Sequence, residues 1–258
     1  MHLYTNFFGL KIPSYGLCIA AGLVLANIVA VIIIKRNKLD FNDFIILEAY
    51  CLLGAFTGAK ALYLIVSREY IDWSRISDFN YFNELILGGF VFYGGFIGGF
   101  LFAYIAGIAH KIAAGTYIRK LIFLIPFMHA FGRIGCFMAG CCYGIPYHGV
   151  GAVVFPEGSY APAGVELFPI QLVEAAALMI IALIIFTVQI RTDLNCTIEM
   201  YLFLYGVVRF FLEFLRYDSL RGHLSELSTS QWISILMIVS AIISYKIQFS
   251  SKAVRAEN

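Results

Sequence analysis

The sequence predicts an all-α, polytopic membrane helix bundle, and three observations carry that expectation. Of 258 residues, 61% are hydrophobic and only 13% are charged, against the usual quarter of charged residues in a soluble domain. The mean hydropathy is +0.84. Apolar runs of about 20 residues, the length a helix needs to cross a hydrocarbon core of roughly 30 Å, recur along the whole chain.

Seven runs have that length: 15–34, 44–66, 85–109, 121–140, 169–190, 197–216 and 230–248. Met1 to Ser14 shows neither a basic n-region nor a small-residue cleavage site, so the first run is read as a retained span rather than a signal peptide. The second carries Gly54-Ala-Phe-Thr-Gly58 and the third carries Gly94, Gly95, Gly98 and Gly99. Small residues at four-residue spacing let helices approach closely in lipid. The stretch Gly88-Gly89-Phe-Val-Phe-Tyr-Gly-Gly95 is denser than packing asks for, and would let backbone N–H groups approach a ligand. The fourth run holds Arg133, and the fifth opens with Pro169-Ile-Gln171-Leu-Val-Glu174. In the sixth, Tyr205, Arg209, Glu213 and Arg216 follow at spacings that place all four on one helix face, too polar a stripe to meet lipid. Ser230-Gln231 opens the seventh. With no repeat or linker, residues 1–258 read as one domain.

Orientation follows from the positive charges, which stay on the cytoplasmic side of short loops. With the N-terminus outside, ten Lys and Arg fall inside and five outside, leaving Lys60, Arg133 and Arg209 within spans. The C-terminus is then cytoplasmic. A net charge of +2 argues neither for nor against nucleic acid, and with no basic arm or patch of interleaved aromatics no nucleic-acid partner is expected.

A charged side chain within a span costs several kcal/mol and is a functional candidate by default. Arg133 lies roughly 20 Å beyond the Lys120 boundary, Arg209 about 18 Å beyond Thr197 and Lys60 about 24 Å beyond Phe44, at 1.5 Å per residue. All three therefore reach the outer half of the bilayer, from three different helices. Their convergence suits an anionic headgroup, with the guanidinium fork matched to two phosphate oxygens. The competing view of Arg209 is a structural ion pair with Glu213, and both hold together if Glu213 orients Arg209. Gln171 and Glu174 add polar groups at a span end. His129 is a weaker candidate, since a lone histidine on an apolar helix is usually a satisfied core residue.

Together these residues carry a family resemblance. Gly132-Arg-Ile-Gly135 followed by Phe137, the Pro169-x-Gln-Leu-x-Glu174 opening, Tyr205-Gly-x-x-Arg-Phe-x-x-Glu-x-x-Arg216 and Ser230-Gln231 occur in an order that resembles prolipoprotein diacylglyceryl transferase. The likeness runs from Tyr15-Gly16 to the last helix. It implies seven spans with the N-terminus outside, in a bacterial plasma (inner) membrane, with the active site toward the outer leaflet. It also implies a reaction in which the diacylglyceryl group of phosphatidylglycerol moves to the thiol of the lipobox cysteine in a prolipoprotein signal peptide, and glycerol phosphate leaves. Arg133 and Arg209 match the family's two arginines at the phosphate. Tyr15, Lys60, Gly94, Gly95, His129, Cys136, Cys141, Gln171, Glu174, Tyr205, Glu213 and Arg216 are the expected lipid and substrate contacts. No cofactor is expected.

The chain also departs from the family pattern. The signature Gly-Arg-x-Gly-Asn-Phe-x-Asn-Gly-Glu has Cys136, Ala139 and Cys141 in place of Asn, Asn and Glu, and the Phe-His-Gly-Gly of the third span is Phe92-Tyr93-Gly94-Gly95. The histidine regarded as the base is thus Tyr93, counted with Arg133 and Arg209 as catalytic; a tyrosine is a poor base at its ordinary pKa near 10 but able to hydrogen-bond phosphate, and Tyr205, His129 and water stay open as proton acceptors. Cys136, Cys141 and Cys142 have three readings. A zinc site is disfavoured, because the usual pair of C-x2-4-C pairs and a nearby histidine are missing. A disulfide suits an oxidising outer face. Small, weakly polar residues closing a helix end is the favoured view, so no metal is expected. Two other functions compete with the transferase: a same-fold enzyme with a different acceptor, and a non-catalytic lipid-binding or transport protein. Neither an inverted repeat nor broken helices in corresponding halves supports transport.

Overall fold

The computed structural model describes residues 3–7, 10–192, 196–217, 223, 224 and 226–257; Arg221, one of the predicted outer charges, lies outside them. Contacts divide the chain into two compact units, Val31–Ile118 and the combination of Met1–Ala30 with Arg119–Asn258. Helices dominate both. Four are long and apolar enough to cross a membrane: α1 (Ser14–Arg36), α2 (Phe41–Val66), α7 (Ile170–Arg191) and α9 (Thr229–Glu257, through Ser250). The bent pair α5 (Ala114–Leu121) and α6 (Leu124–Ala139) makes a fifth candidate span. Large apolar side chains such as Val24, Ile28 and Ile32 on α1 are exposed, as a helix facing lipid requires.

Two expected spans are interrupted. The run 85–109 divides into α3 (Phe79–Leu87) and the shorter apolar α4 (Phe92–Ala109). Gly89 between them has φ +66°, outside the right-handed helical region. The run 121–140 bends ahead of Pro126, which has no N–H to give the Ile122 carbonyl; Ile125 N donates to that carbonyl instead, at 3.1 Å. The sixth run becomes α8 (Thr197–Leu212), closed by a 3-10 turn at Glu213–Leu215. Beside the helices stand three small antiparallel hairpins: β1 (Tyr4–Phe7) with β2 (Leu10–Pro13), β3 (Val153–Val154) with β4 (Glu166–Leu167), and β5 (His223–Leu224) with β6 (Leu227–Ser228).

In the unit Val31–Ile118, glycine brings α2 and α4 together. A Cβ at Gly54 would lie 2.3 Å from the Gly98 carbonyl oxygen, and one at Gly58 would lie 2.3 Å from that of Gly94. No side chain fits there, so the backbones themselves form the interface. Asp40 caps α2, accepting from the N–H of Asn42 at 2.7 Å and of Asp43 at 3.2 Å.

In the other unit, α6, α7, α8 and α9 pack in succession. The segment 143–168 folds as a cap with its own small core of Phe155, Ala161 and Leu167, against which Phe137 and Tyr143 pack. Backbone bonds from Ile145 N to Leu215 O (3.1 Å) and Tyr217 N to Tyr143 O (3.2 Å) tie the start of this cap to the end of α8. Those bonds deliver Arg216 to the C-terminal end of α6.

Candidate active site

The site begins with how α6 ends. Gly140 adopts φ +73°, and its N–H and that of Cys141 turn back to the carbonyls of the last helical turn, Cys141 N reaching Cys136 O at 3.1 Å. This left-handed closure satisfies carbonyls that the helix leaves orphaned. Cys142 repeats the conformation at φ +58°, which is uncommon for a residue with a Cβ. Two such residues within three positions fold Cys141 and Cys142 back over Cys136. The three Sγ atoms lie within 4.8 Å of one another, and all six cysteines of the chain are free thiols. Hydrogen bonds from the Cys136 and Cys141 thiols hold the Cys142 thiol below its ordinary pKa, with Arg216 and Arg133 adding to the effect.

Gln171 and Glu174, each only 1% exposed, face this closure from the first turns of α7. Gln171 Nε2 donates to the Cys141 carbonyl at 2.9 Å, fixing the turn from a second helix. Glu174 is the hub of the site. Its Oε1 lies 3.1 Å from Arg133 Nη2 and its Oε2 3.7 Å from Arg216 Nη1. Tyr205 donates its hydroxyl to Oε1 at 3.4 Å. One carboxylate from α7 therefore organises an arginine from α6, another from the end of α8 and a tyrosine from within α8.

Arg209 is held separately. Its Nη2 is 2.7 Å from Glu213 Oε2, the i,i+4 pair that the spacing predicts, and 3.1 Å from Ser230 Oγ on α9. Ser230 sits in a reciprocal cap at the start of that helix, where Ser228 N donates to Gln231 Oε1 (2.9 Å) and Gln231 N to Ser228 Oγ (3.2 Å). His129 stacks edge-on against Tyr205 with ring centroids 5.2 Å apart. Tyr15 packs where α1 crosses α6: a Cβ at Gly135 would lie 2.9 Å from its ring.

Among the described residues, the ion pairs of this cluster join three arginines to two carboxylates in a buried setting. Hydrogen-bonding capacity is also left over. Arg133 Nε, Arg209 Nη1 and Gln171 Oε1 are buried without a partner among the described residues. A buried donor without a partner is costly and rare, so one on each of these two guanidinium groups suits an acceptor-rich anion.

The remaining sequence candidates belong to the other unit. Lys60 donates its ammonium hydrogens to the carbonyls of Leu85, Gly88 and Gly89, and lies 5.0 Å from the Tyr63 ring centroid and 4.8 Å from that of Phe90. It closes the α3–α4 connection. Gly94 and Gly95 face α2, a Cβ on Gly94 falling 2.3 Å from Gly58 O and one on Gly95 3.1 Å from Ala55 O. Tyr93, in the first turn of α4, is exposed. Two residues of the site were not among the sequence candidates: Ser230, although the motif containing it was visible, and Cys142, which only the left-handed backbone brings to its neighbours.

Fold and site together define a multi-pass helical membrane protein with a buried arginine and carboxylate cluster suited to an anionic headgroup. The prolipoprotein diacylglyceryl transferase family matches residues 3–247. The chain belongs to that family, and is a transferase. It is 34% identical over 246 residues to phosphatidylglycerol--prolipoprotein diacylglyceryl transferase 2 of Clostridium perfringens, covering 94% of this chain and 93% of the relative. The enzyme of the same name from Clostridium tetani is 33% identical, covering 94% and 95%. That of Finegoldia magna is 28% identical, covering 98% and 97%.

Proposed function

We propose that the protein transfers the diacylglyceryl group of phosphatidylglycerol to the thiol of the lipobox cysteine of a prolipoprotein and releases glycerol phosphate. The relatives' names supply the two substrates. The observation that carries the reading to this chain is the pair of buried donors, Arg133 Nε and Arg209 Nη1, that the protein itself leaves unsatisfied.

The chemistry uses those donors where charge develops. As the carbon–oxygen bond to the phosphate breaks, negative charge grows on the departing phosphate, and preorganised cations stabilise that state more than the ground state. Arg133 and Arg209 take this role. Glu174 and Glu213 position them, since each carboxylate holds one guanidinium edge and leaves another for the ligand. Tyr205 and Gln171 orient Glu174 and the α6 closure. The chain crosses the plasma membrane seven times with its N-terminus outside, α4 and α8 supplying the two shorter crossings, so that the site meets secreted substrate at the outer leaflet.

Expression in cells depleted of their resident transferase tests this reading. Lipoprotein modification is restored by the wild-type chain and by neither Arg133→Ala nor Arg209→Ala. Failure to restore it with inserted, folded protein counts against this acceptor and favours another. Phosphatidylglycerol movement in vesicles lacking any peptide would instead indicate transport.

A further inference from the structure

We propose that Cys136, Cys141 and Cys142 form a three-thiolate site for a zinc ion, with its fourth position open to the thiol of the prolipoprotein. The second half of this proposal rests on the transferase reading above; the first does not.

Geometry carries the site. Three sulfurs within 4.8 Å of one another need only close slightly to reach the edge of about 3.8 Å set by tetrahedral zinc–sulfur bonds of about 2.3 Å. Sequence spacing alone disfavoured zinc, because Cys136-x4-Cys141-Cys142 lacks the familiar pairs. The spacing works here because Gly140 and Cys142 are both left-handed, at φ +73° and +58°. Cys142 adopts that conformation despite its Cβ. The turn is also locked from outside, by Gln171 Nε2 on the Cys141 carbonyl at 2.9 Å. Ligands in zinc sites depend on such supporting bonds to keep their orientation. Soft thiolates select zinc or copper(I) over magnesium or calcium. Three thiolates around a divalent ion leave one negative charge, and the arginine-rich neighbourhood of Arg133 and Arg216 offsets it.

Sites with three protein ligands keep the fourth position for water or substrate. In this site the substrate is a thiol. Its proton passes to water as the sulfur binds zinc, giving the thiolate that attack requires. The sulfur then attacks the glyceryl carbon bearing the phosphate. An S–C bond forms, the C–O bond breaks, and the electron pair leaves with glycerol phosphate, held by Arg133 one helical turn before Cys136. A chain with tyrosine at the position of the family's histidine thus gains a nucleophile without a side-chain base.

The test uses full-length protein purified in detergent without chelators. Elemental analysis is expected to find about one zinc per chain, falling to background when all three cysteines are changed to serine. Added zinc should also protect these three thiols from alkylation in the wild-type protein, a readout that needs no variant to fold. With cobalt(II) substituted, thiolate charge-transfer and d–d bands should appear, and they should shift on adding a lipobox peptide but not its Cys→Ser analogue. Absence of both zinc and protection overturns the site, and transfer by that metal-free protein would leave the transferase reading standing. Zinc with no transfer from phosphatidylglycerol retains the site and removes that reading. Zinc and transfer with unchanged cobalt bands overturn thiol ligation.

Discussion

Lys60 and Arg209 are both single cations set in apolar helices, and depth along the helix treats them alike. Their surroundings separate them. An ammonium has three hydrogens to donate, and those of Lys60 are matched by the carbonyls of Leu85, Gly88 and Gly89 in the α3–α4 connection. A guanidinium has five, and Arg209 meets Glu213 and Ser230 through Nη2 while its buried Nη1 finds no partner among the described residues. Arg133 follows the same pattern at Nε. On the phosphate-site proposal, an intramembrane charge serves a ligand when the fold leaves some of its bonding capacity unused. A charge whose capacity is consumed by nearby carbonyls is part of the fold.

The comparison is broken most easily at the arginines. Arg133→Ala and Arg209→Ala should each lower transfer about 1,000-fold or more, on the scale of losing a preorganised donor to developing charge. Arg209→Lys should recover little, because a lysine keeps the charge but not the planar fork. Transfer rates with a lipobox peptide check both.

Glu174→Gln tests whether one carboxylate sets the geometry. The buried Arg133 would lose its carboxylate partner, costing about 3–5 kcal/mol of stability. The expected result is a lower melting temperature in detergent together with transfer reduced by roughly 100-fold, short of the arginine variants because phosphate donors remain. Ser230→Ala removes one bond to Arg209, a net loss of about 1 kcal/mol and so about fivefold in rate.

Lys60→Met should have the smallest effect on rate, within about threefold, while lowering thermal stability because the carbonyls of Leu85, Gly88 and Gly89 lose their donor. If Lys60→Met abolishes transfer as Arg209→Ala does, the distinction drawn from bonding capacity fails.

Much of the site was legible because helical periodicity is local. The Tyr205, Arg209, Glu213 and Arg216 stripe needs only the 3.6-residue repeat, and its Arg209–Glu213 pair forms at 2.7 Å. Glu174 could be picked out as a polar group at a span end, but its hold on Arg133 and Arg216 depends on three segments meeting. Nothing in local spacing states that. The interruptions were harder to see. The glycines of 88–95 suggested ligand approach, whereas Gly89 breaks the helix and Gly94 admits α2. Pro126 was a visible signal for the bend between α5 and α6, masked by the strong hydropathy on either side. The clustering of the three cysteines was hidden for a related reason: pattern rules assume ordinary backbone, and a left-handed residue with a Cβ at position 142 is outside what spacing can encode.

The most direct test of the central claim is a purified-protein assay with phosphatidylglycerol and a lipobox peptide, following peptide mass and glycerol phosphate together. The phosphate-site reading predicts that the peptide gains one diacylglyceryl group for each glycerol phosphate released, and that both signals disappear in Arg133→Ala and Arg209→Ala. Transfer that persists undiminished in both variants, or folded wild-type protein that releases no glycerol phosphate in the presence of both substrates, would contradict it.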